Sequence, residues 1–280
     1  MDRATVYVKQ SKMSEMGAEQ FIKQILETAT WRDNCNVLDV GCGPGNVTHD
    51  YILPILPIRA NSIVAIDKKA NLVDYANEHY GKKSKIQFKT VDIVKDVQTL
   101  DEYVNHFDHI FSFYCLQSIR EQETALRNIF KILKPGGDFY FSCDAQTNLY
   151  EGCEYLLGTP EWEPVLRDYK ETMSPFHDSE SPAQDLEELL TKIGFQSVYV
   201  TMERQEFLIP MEDLPEFVVV QTPFDIPPEF EEKFGQACVD TARTLKLNRF
   251  VDGQECCYLQ LQLLFGHQRK PIASAQKPVF

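Results

Sequence analysis

A chain of 280 residues, 43% hydrophobic and 25% charged, has the composition of a soluble globular protein and enough length to bury a full core. Its 42 acidic residues outnumber 28 basic ones, and a formal charge of −14 disfavours nucleic acid and anionic lipid surfaces as partners. The first twenty residues carry Asp2, Arg3, Lys9, Lys12, Glu15 and Glu19 and no apolar run, so neither a secretory signal nor membrane insertion is expected, and the expected location is cytoplasmic.

In chain order, Phe21, Ile22, Ile25 and Leu26 predict one apolar face of a helix over 15–29. Asn36–Val40 reads as a short buried strand that runs into a glycine-rich turn, followed by a helix from Val47 to Leu56 that stops at Pro57. A second strand, Ser62–Asp67, precedes a helix from Ala70 to Tyr80, and Ile86–Val91 alternates as a third strand ending at Asp92. Phe107–Phe113 makes a fourth strand. A helix over Gln122–Leu133 then breaks at Pro135–Gly136–Gly137 before a fifth strand, Asp138–Cys143.

Strands alternating with helices at this spacing predict a mostly parallel sheet covered on both faces. Regularity lapses over 144–181, returns with a helix from Pro182 to Ile193 and a strand from Phe195 to Met202, and lapses again over 210–256 apart from a helix near Glu229–Lys246. The last strand, Cys257–Phe265, points Leu259, Leu261, Leu263 and Phe265 one way and Gln260 and Gln262 the other. The expectation is one α/β domain over 1–280, with 1–30 as a helical lid segment and 144–181 and 210–256 as caps over the active site; the tail 270–280 reads as disordered. Eight cysteines lie in apolar patterns without a CxxC pair, which predicts reduced thiols. Cys256, Cys257 and His267 are a weak zinc candidate, and no metal is expected.

The turn after the first strand is Asp39–Val–Gly–Cys–Gly–Pro–Gly45, and its glycines let backbone approach a bound nucleotide. Asp67 at the end of the second strand can accept both ribose hydroxyls of an adenosine, or cap the helix that follows it. Asp92–Ile93 offers an acid for an adenine amine and an apolar residue for the ring face. Asn46 stands where the dinucleotide fingerprint has its third glycine, and no P-loop lysine is present. Asp39 would repel a pyrophosphate but suits a ligand carrying an ammonium and a sulfonium, which favours S-adenosylmethionine (SAM) over NAD or ATP.

These segments, together with Leu133–Lys–Pro–Gly–Gly137, resemble successive motifs of the class I methyltransferase superfamily across residues 36–143. The resemblance implies a Rossmann-like, seven-stranded mostly parallel sheet with an antiparallel last strand and helical cap insertions. It implies SAM as cofactor, S-adenosylhomocysteine as product, and a cofactor set of Asp39, Gly41, Cys42, Gly43, Asp67, Lys68, Asp92, Ile93, Ser112 and Tyr114. A narrower likeness, carried by Tyr75–Gly81, Phe107–Tyr114, Ile119–Arg120, Arg127–Phe130 and Ser174–Asp178, is to arthropod juvenile hormone acid and farnesoic acid O-methyltransferases. That likeness implies transfer of a methyl group to the carboxylate of a small apolar terpenoid or fatty acid.

The same family grips its carboxylate with a glutamine and a tryptophan. Matching this chain to it puts Ser14 and Ser118 at those positions, and Gln117 where a histidine is usual. Ser14, Gln117, Ser118 and His177 are the candidate acceptor-handling residues, all able to donate hydrogen bonds. A carboxylate acceptor is ionised at neutral pH and needs alignment rather than a base. His177 with Asp178 would serve as base for a phenol or amine, or His177 would simply tie the cap to the core. Phe113, Trp162, Phe176, Phe217, Val218, Val219, Val220 and Phe224 are expected to line an apolar acceptor site, and Tyr7 and Tyr114 to border it or pack. The alternatives are methylation of another small-molecule O or N atom, and a SAM-binding protein that has lost catalysis.

Overall fold

Strand β1 (Asn36–Val40) buries four consecutive residues, and β4 (Phe107–Phe113) buries all seven, the pattern of strands covered on both sides. The computed structural model, which describes residues 3–29, 31, 33–57, 60, 62–82, 84–222 and 226–272, places them at the centre of one sheet. With β2 (Ser62–Asp67), β3 (Ile86–Thr90), β5 (Leu133–Thr147), β6 (Gln196–Pro210), β7 (Asn248–Val251) and β8 (Gln254–Arg269), the strand order is β3-β2-β1-β4-β5-β8-β6, and β7 pairs with β8 off that path. Strands β1 to β5 are parallel; β8 is antiparallel to β5, β6 and β7. This is the Rossmann-like mixed sheet expected from the motifs.

Alternation along the strands divides the core. Val37, Ile63, Ala65, Phe111, Leu261 and Phe265 face one cluster, and Leu38, Val64, Ile66, Ile110, Phe139 and Leu264 the other. Helices α1 (Arg3–Lys9) and α2 (Lys12–Thr28) begin the chain, and α3 (Ala70–Ala76) and α4 (Val97–Asp101) separate the strands that follow. Helix α5 (Gln122–Ile132) buries Ala125, Leu126, Ile129 and Ile132 on the second face. After β5 come α6 (Leu149–Leu157) and α7 (Glu163–Leu166). Helix α8 (Pro182–Ile193) opens with proline and ends at Gly194, whose φ of +117° is left-handed and whose N–H returns to the Leu190 carbonyl. Helices α9 (Leu214–Gln221) and α10 (Glu231–Thr244) pack on each other in the second insertion.

The differences from expectation have local causes. Leu26 is 51% exposed because Ala18, Phe21, Ile22 and Ile25 already fill the buried stripe of α2 and Leu26 falls at its edge. The segment expected as a helix over 47–56 is a π-type turn over Thr48–Ile52 and a tighter turn over Leu53–Ile55, with Pro54 inside the latter. Strands β5, β6 and β8 are 15, 15 and 16 residues long, well beyond the predicted apolar runs, because antiparallel pairing carries polar stretches such as Glu203–Glu206 into the ladder. All eight cysteines are free thiols. No helix among the described residues is long and apolar enough to cross a membrane. Phe224 and residues 273–280 of the tail lie outside the described residues.

Candidate active site

The strand order reverses between β1 and β4, so the loops leaving their carboxyl ends diverge and open a crevice. Gly41 and Gly43 line its first wall with φ of +81° and +53°, and Gly45 behind them has φ of +87°. A side chain on Gly41 would meet the Cys115 Sγ at 2.3 Å, and one on Gly45 would meet Phe88 and Ala76 at 2.8 and 2.9 Å. Gly43 has no heavy atom within 4 Å of where a Cβ would stand. Two of the glycines therefore allow the protein to pack on itself, while Gly43 leaves backbone open to a ligand.

Asp67 joins two loops: its Oδ2 accepts the Gly43 N–H at 2.9 Å and its Oδ1 the Lys69 N–H at 2.8 Å. Each oxygen keeps a second lone pair. Asp92 accepts the Val94 N–H at 2.8 Å, which folds the turn that presents Ile93. Together Gly41, Gly43, Asp67, Lys68, Asp92, Ile93 and Tyr114 wall a cavity of about 350 Å³, the size class of a small-cofactor site.

The other three residues of the predicted cofactor set sit behind this wall. Asp39 is 2% exposed and accepts the Thr48 hydroxyl at 2.6 Å. Burial pushes its carboxyl up to about 7, against the Thr48 bond and with some help from Asp67. Cys42 is buried against Gly43, and Ser112 donates to the Val40 carbonyl at 3.0 Å, tying β4 to β1.

A second cavity of about 130 Å³ adjoins the first; Tyr7, Lys69, Tyr114, Ser118 and Thr172 line both. Its floor and far walls are Asp144 and Thr147 of β5, Leu149 and Tyr150 of α6, Phe217, Val220 and Gln221 of α9, and Leu259 and Leu261 of β8. Tyr114 stands at the junction with a left-handed φ of +50°, its N–H held by the Ser142 carbonyl at 2.8 Å. The Tyr114 hydroxyl, the Gln117 Oε1 and the Asp144 Oδ1 are buried there without a hydrogen-bond partner. Burial raises the Tyr114 phenol well above its usual range, and raises Tyr7 to about 12 with help from Asp67. Both therefore remain hydrogen-bond donors at neutral pH.

Of the predicted acceptor-handling residues, Ser118 borders both cavities and Gln117 lines the second. The side chain of Ser14 lies outside the described residues. His177 stands one layer back: its ring meets Tyr150 edge-on at 4.7 Å, and its carbonyl accepts the Gln146 side chain at 3.0 Å. Phe217 and Val220, of the predicted apolar lining, reach the second cavity. Phe113 packs on Phe21, Trp162 on Phe234, and Phe176 joins the core of the opposite sheet face.

Asp144, Thr147, Leu149 and Tyr150 were not expected at the site. Asp144 does carry the signal that marks Asp67 and Asp92, an acid directly after an apolar strand run. A wider surface cleft of about 700 Å³ between α1, α9 and α10 shares Val220 with the acceptor cavity but reaches none of the glycine-loop residues.

Residues 32–189 match the family model described as a methyltransferase domain. The juvenile hormone acid O-methyltransferase of Drosophila melanogaster is 29% identical over 277 residues, covering 96% of this chain and 93% of that protein. The Bombyx mori protein of the same name is 29% identical over 249 residues, covering 88% of each. The Haemonchus contortus phosphoethanolamine N-methyltransferase 2, solved in complex with S-adenosyl-L-methionine, superposes with a TM-score of 0.55 at 17% identity. That match covers 96% of this chain and 56% of the other, a likeness of fold.

Proposed function

This chain belongs to the methyltransferase-domain family, and from that premise we propose that it uses SAM to methylate a small, largely apolar acceptor, the carboxylate of a terpenoid or fatty acid. The observation that carries this reading is the meeting of the two cavities at Tyr114 and Ser118. A cofactor held on the glycine loop then confronts an acceptor held among Phe217, Val220, Leu259 and Leu261. The residues present fit the cofactor: Gly43 leaves room for close approach, Asp67 has lone pairs left for ribose hydroxyls, and Asp92 and Ile93 flank the place of an adenine.

When bound, SAM would supply a methyl group on a sulfonium, which an acceptor oxygen lone pair would take up in a new O–C bond as the S–C bond breaks and its electrons return to sulfur. The chain contributes alignment, hydrogen bonds and exclusion of water. Tyr7, Tyr114, Gln117 and Ser118 can hold one carboxylate oxygen and leave the other to attack. The carboxylate reading is supported by likeness over nearly the full length to the two insect enzymes, whose names state that acceptor class.

The test is incubation of the full chain with SAM and farnesoic acid, then a panel of fatty acids, with mass spectrometry of the products. A methyl ester is expected. Measurable SAM binding without an ester from any acid would remove the carboxylate reading, and labelled product from a phenol or amine would replace it.

A further inference from the structure

Asp144 is a carboxyl group that the alignment chemistry just described does not use. It lies two residues beyond Ser142, the last β5 residue in parallel register with β4, is paired with Leu263 of β8 immediately before a bulge, and lines the acceptor cavity. It is half-buried, with its Oδ1 enclosed and its remaining surface on the cavity wall. Its Oδ1 has no hydrogen-bond partner. An isolated carboxylate in such a place is costly, which biases the group toward its protonated form. Burial alone accounts for a rise to about 7.

Its surroundings do not supply a counter-charge. Tyr7 of α1, Tyr114 after β4, Tyr150 of α6 and Cys143 beside it on β5 are the titratable groups that feel its charge, and all four are raised and neutral at pH 7. Helix α9 and strand β8 present uncharged side chains to the cavity. Lys69, the other charged residue on the wall, is exposed at the mouth shared with the cofactor cavity.

We propose that Asp144 binds the acceptor as a protonated carboxylic acid, sharing its proton with one oxygen of the acceptor carboxylate. This rests on the carboxylate reading above and deepens it. Two carboxyl groups brought together in a water-poor cavity hold one proton between them, because both cannot ionise at close range. The O–H···O⁻ bond so formed is among the stronger hydrogen bonds available to side chains. The acceptor's second oxygen keeps its lone pairs for the methyl group, and the proton stays on Asp144 as the ester forms. The pair also replaces a donor at a site where the sequence offers Ser118 in place of a large ring donor.

The sign is fixed by protonation of the free enzyme: acid affinity is full below about pH 7 and falls tenfold per unit above it, until the pair itself titrates. The experiment measures KM for farnesoic acid from pH 6 to 8.5 in wild type, Asp144→Asn and Asp144→Leu, with SAM affinity measured in each to establish folding. The wild-type KM is expected to rise roughly 15-fold between pH 7 and 8.5. Asp144→Asn, a donor at every pH, should hold KM flat and within about threefold of the wild-type minimum. Asp144→Leu should raise it roughly 10- to 100-fold at pH 6.5 with SAM binding unchanged.

A flat wild-type profile, or an Asn variant as impaired as the Leu variant, overturns the shared proton while leaving ester formation intact. Absence of any ester from wild type overturns the carboxylate reading itself, and the proposal with it.

Discussion

A methyl group placed on Gly17 would stand 2.3 Å from the Tyr114 hydroxyl, so the N-terminal helix α2 is pressed against the residue at which the two cavities meet. Tyr114 is held in a left-handed backbone conformation with its phenol oxygen buried and without a hydrogen-bond partner. Its position is therefore set from one side by β4 and from the other by the absence of a side chain on α2. Under the proposed function, this contact couples the helix, a predicted lid, to the geometry of transfer.

Gly17→Ala tests that coupling. Alanine would favour an exposed helix by about 1 kcal/mol, yet here the overlap with Tyr114 should dominate and cost about 1–3 kcal/mol of stability. Acceptor KM should rise roughly tenfold while Asp67 and the ribose side of the site stay in place. Tyr114→Phe in the Gly17→Ala background relieves the oxygen overlap, though not that with the ring carbons at 2.6 and 2.8 Å, and should recover part of the lost stability but not the acceptor KM, since it also removes a donor. A Gly17→Ala protein with native melting temperature and native acceptor KM would show that the contact does not position Tyr114.

The glycines of the loop separate binding from folding. Gly43→Ala meets open space, so its expected cost to stability is the roughly 1–2 kcal/mol of a left-handed backbone, whereas SAM affinity should fall at least tenfold because the new methyl occupies ligand space. Gly45→Ala collides with Phe88 and Ala76 and should lower the melting temperature more than Gly43→Ala does. Calorimetric SAM titration and thermal melts on both variants give the contrast. A Gly43→Ala protein with native SAM affinity would mean that the ligand does not approach this loop.

Much of this arrangement is legible in the sequence. The strand–turn–helix rhythm and the acids at strand ends identify the sheet and the cofactor wall because those residue types answer to local requirements: left-handed turns, lone pairs and buried strands. Asp39, Cys42 and Ser112 belong to the same motifs but do not line the cavity, and sequence spacing does not by itself separate residues of the wall from those packed behind it. The acceptor cavity was less legible. Its lining comes from β5, α6, α9 and β8, far apart in the chain, and Phe113, Trp162 and Phe176 show that an apolar residue in a cap segment is as readily claimed by core packing as by a cavity.

Burial of Asp39 is expected to give the protein a stability that declines with pH. Its carboxyl is raised from about 4 when unfolded to about 7 when folded, so between those values the folded state binds more protons and stability declines as pH rises. The penalty is absent below pH 4, complete above pH 7, and at most about 1.4 kcal/mol per pH unit for this group. Asp39→Asn should flatten the dependence of the chemical-denaturation midpoint between pH 5 and 7. A slope as steep as that of wild type would place the proton elsewhere, with Asp144 the next candidate because it titrates in the same window with the same sign.

His177 decides between acceptor chemistries. Its ring packs edge-on against Tyr150, one layer behind the cavity, with the Nδ1 buried and without a hydrogen-bond partner. A base that removes a proton from a phenol or amine must come within hydrogen-bond reach of it, and Tyr150 stands between His177 and any acceptor in the cavity. His177→Ala should therefore leave turnover on an acid within about threefold of wild type. Its effect should appear as a modest rise in KM, as Tyr150 loses the ring that supports it. Tyr150→Phe, which removes the hydroxyl that accepts the Ser174 N–H, should act in the same direction by loosening the 174–178 turn. Abolished turnover in His177→Ala, with SAM affinity intact and a rate profile that loses a base near neutral pH, would move the chemistry to a hydroxyl or amine acceptor and require the Tyr150 ring to swing aside.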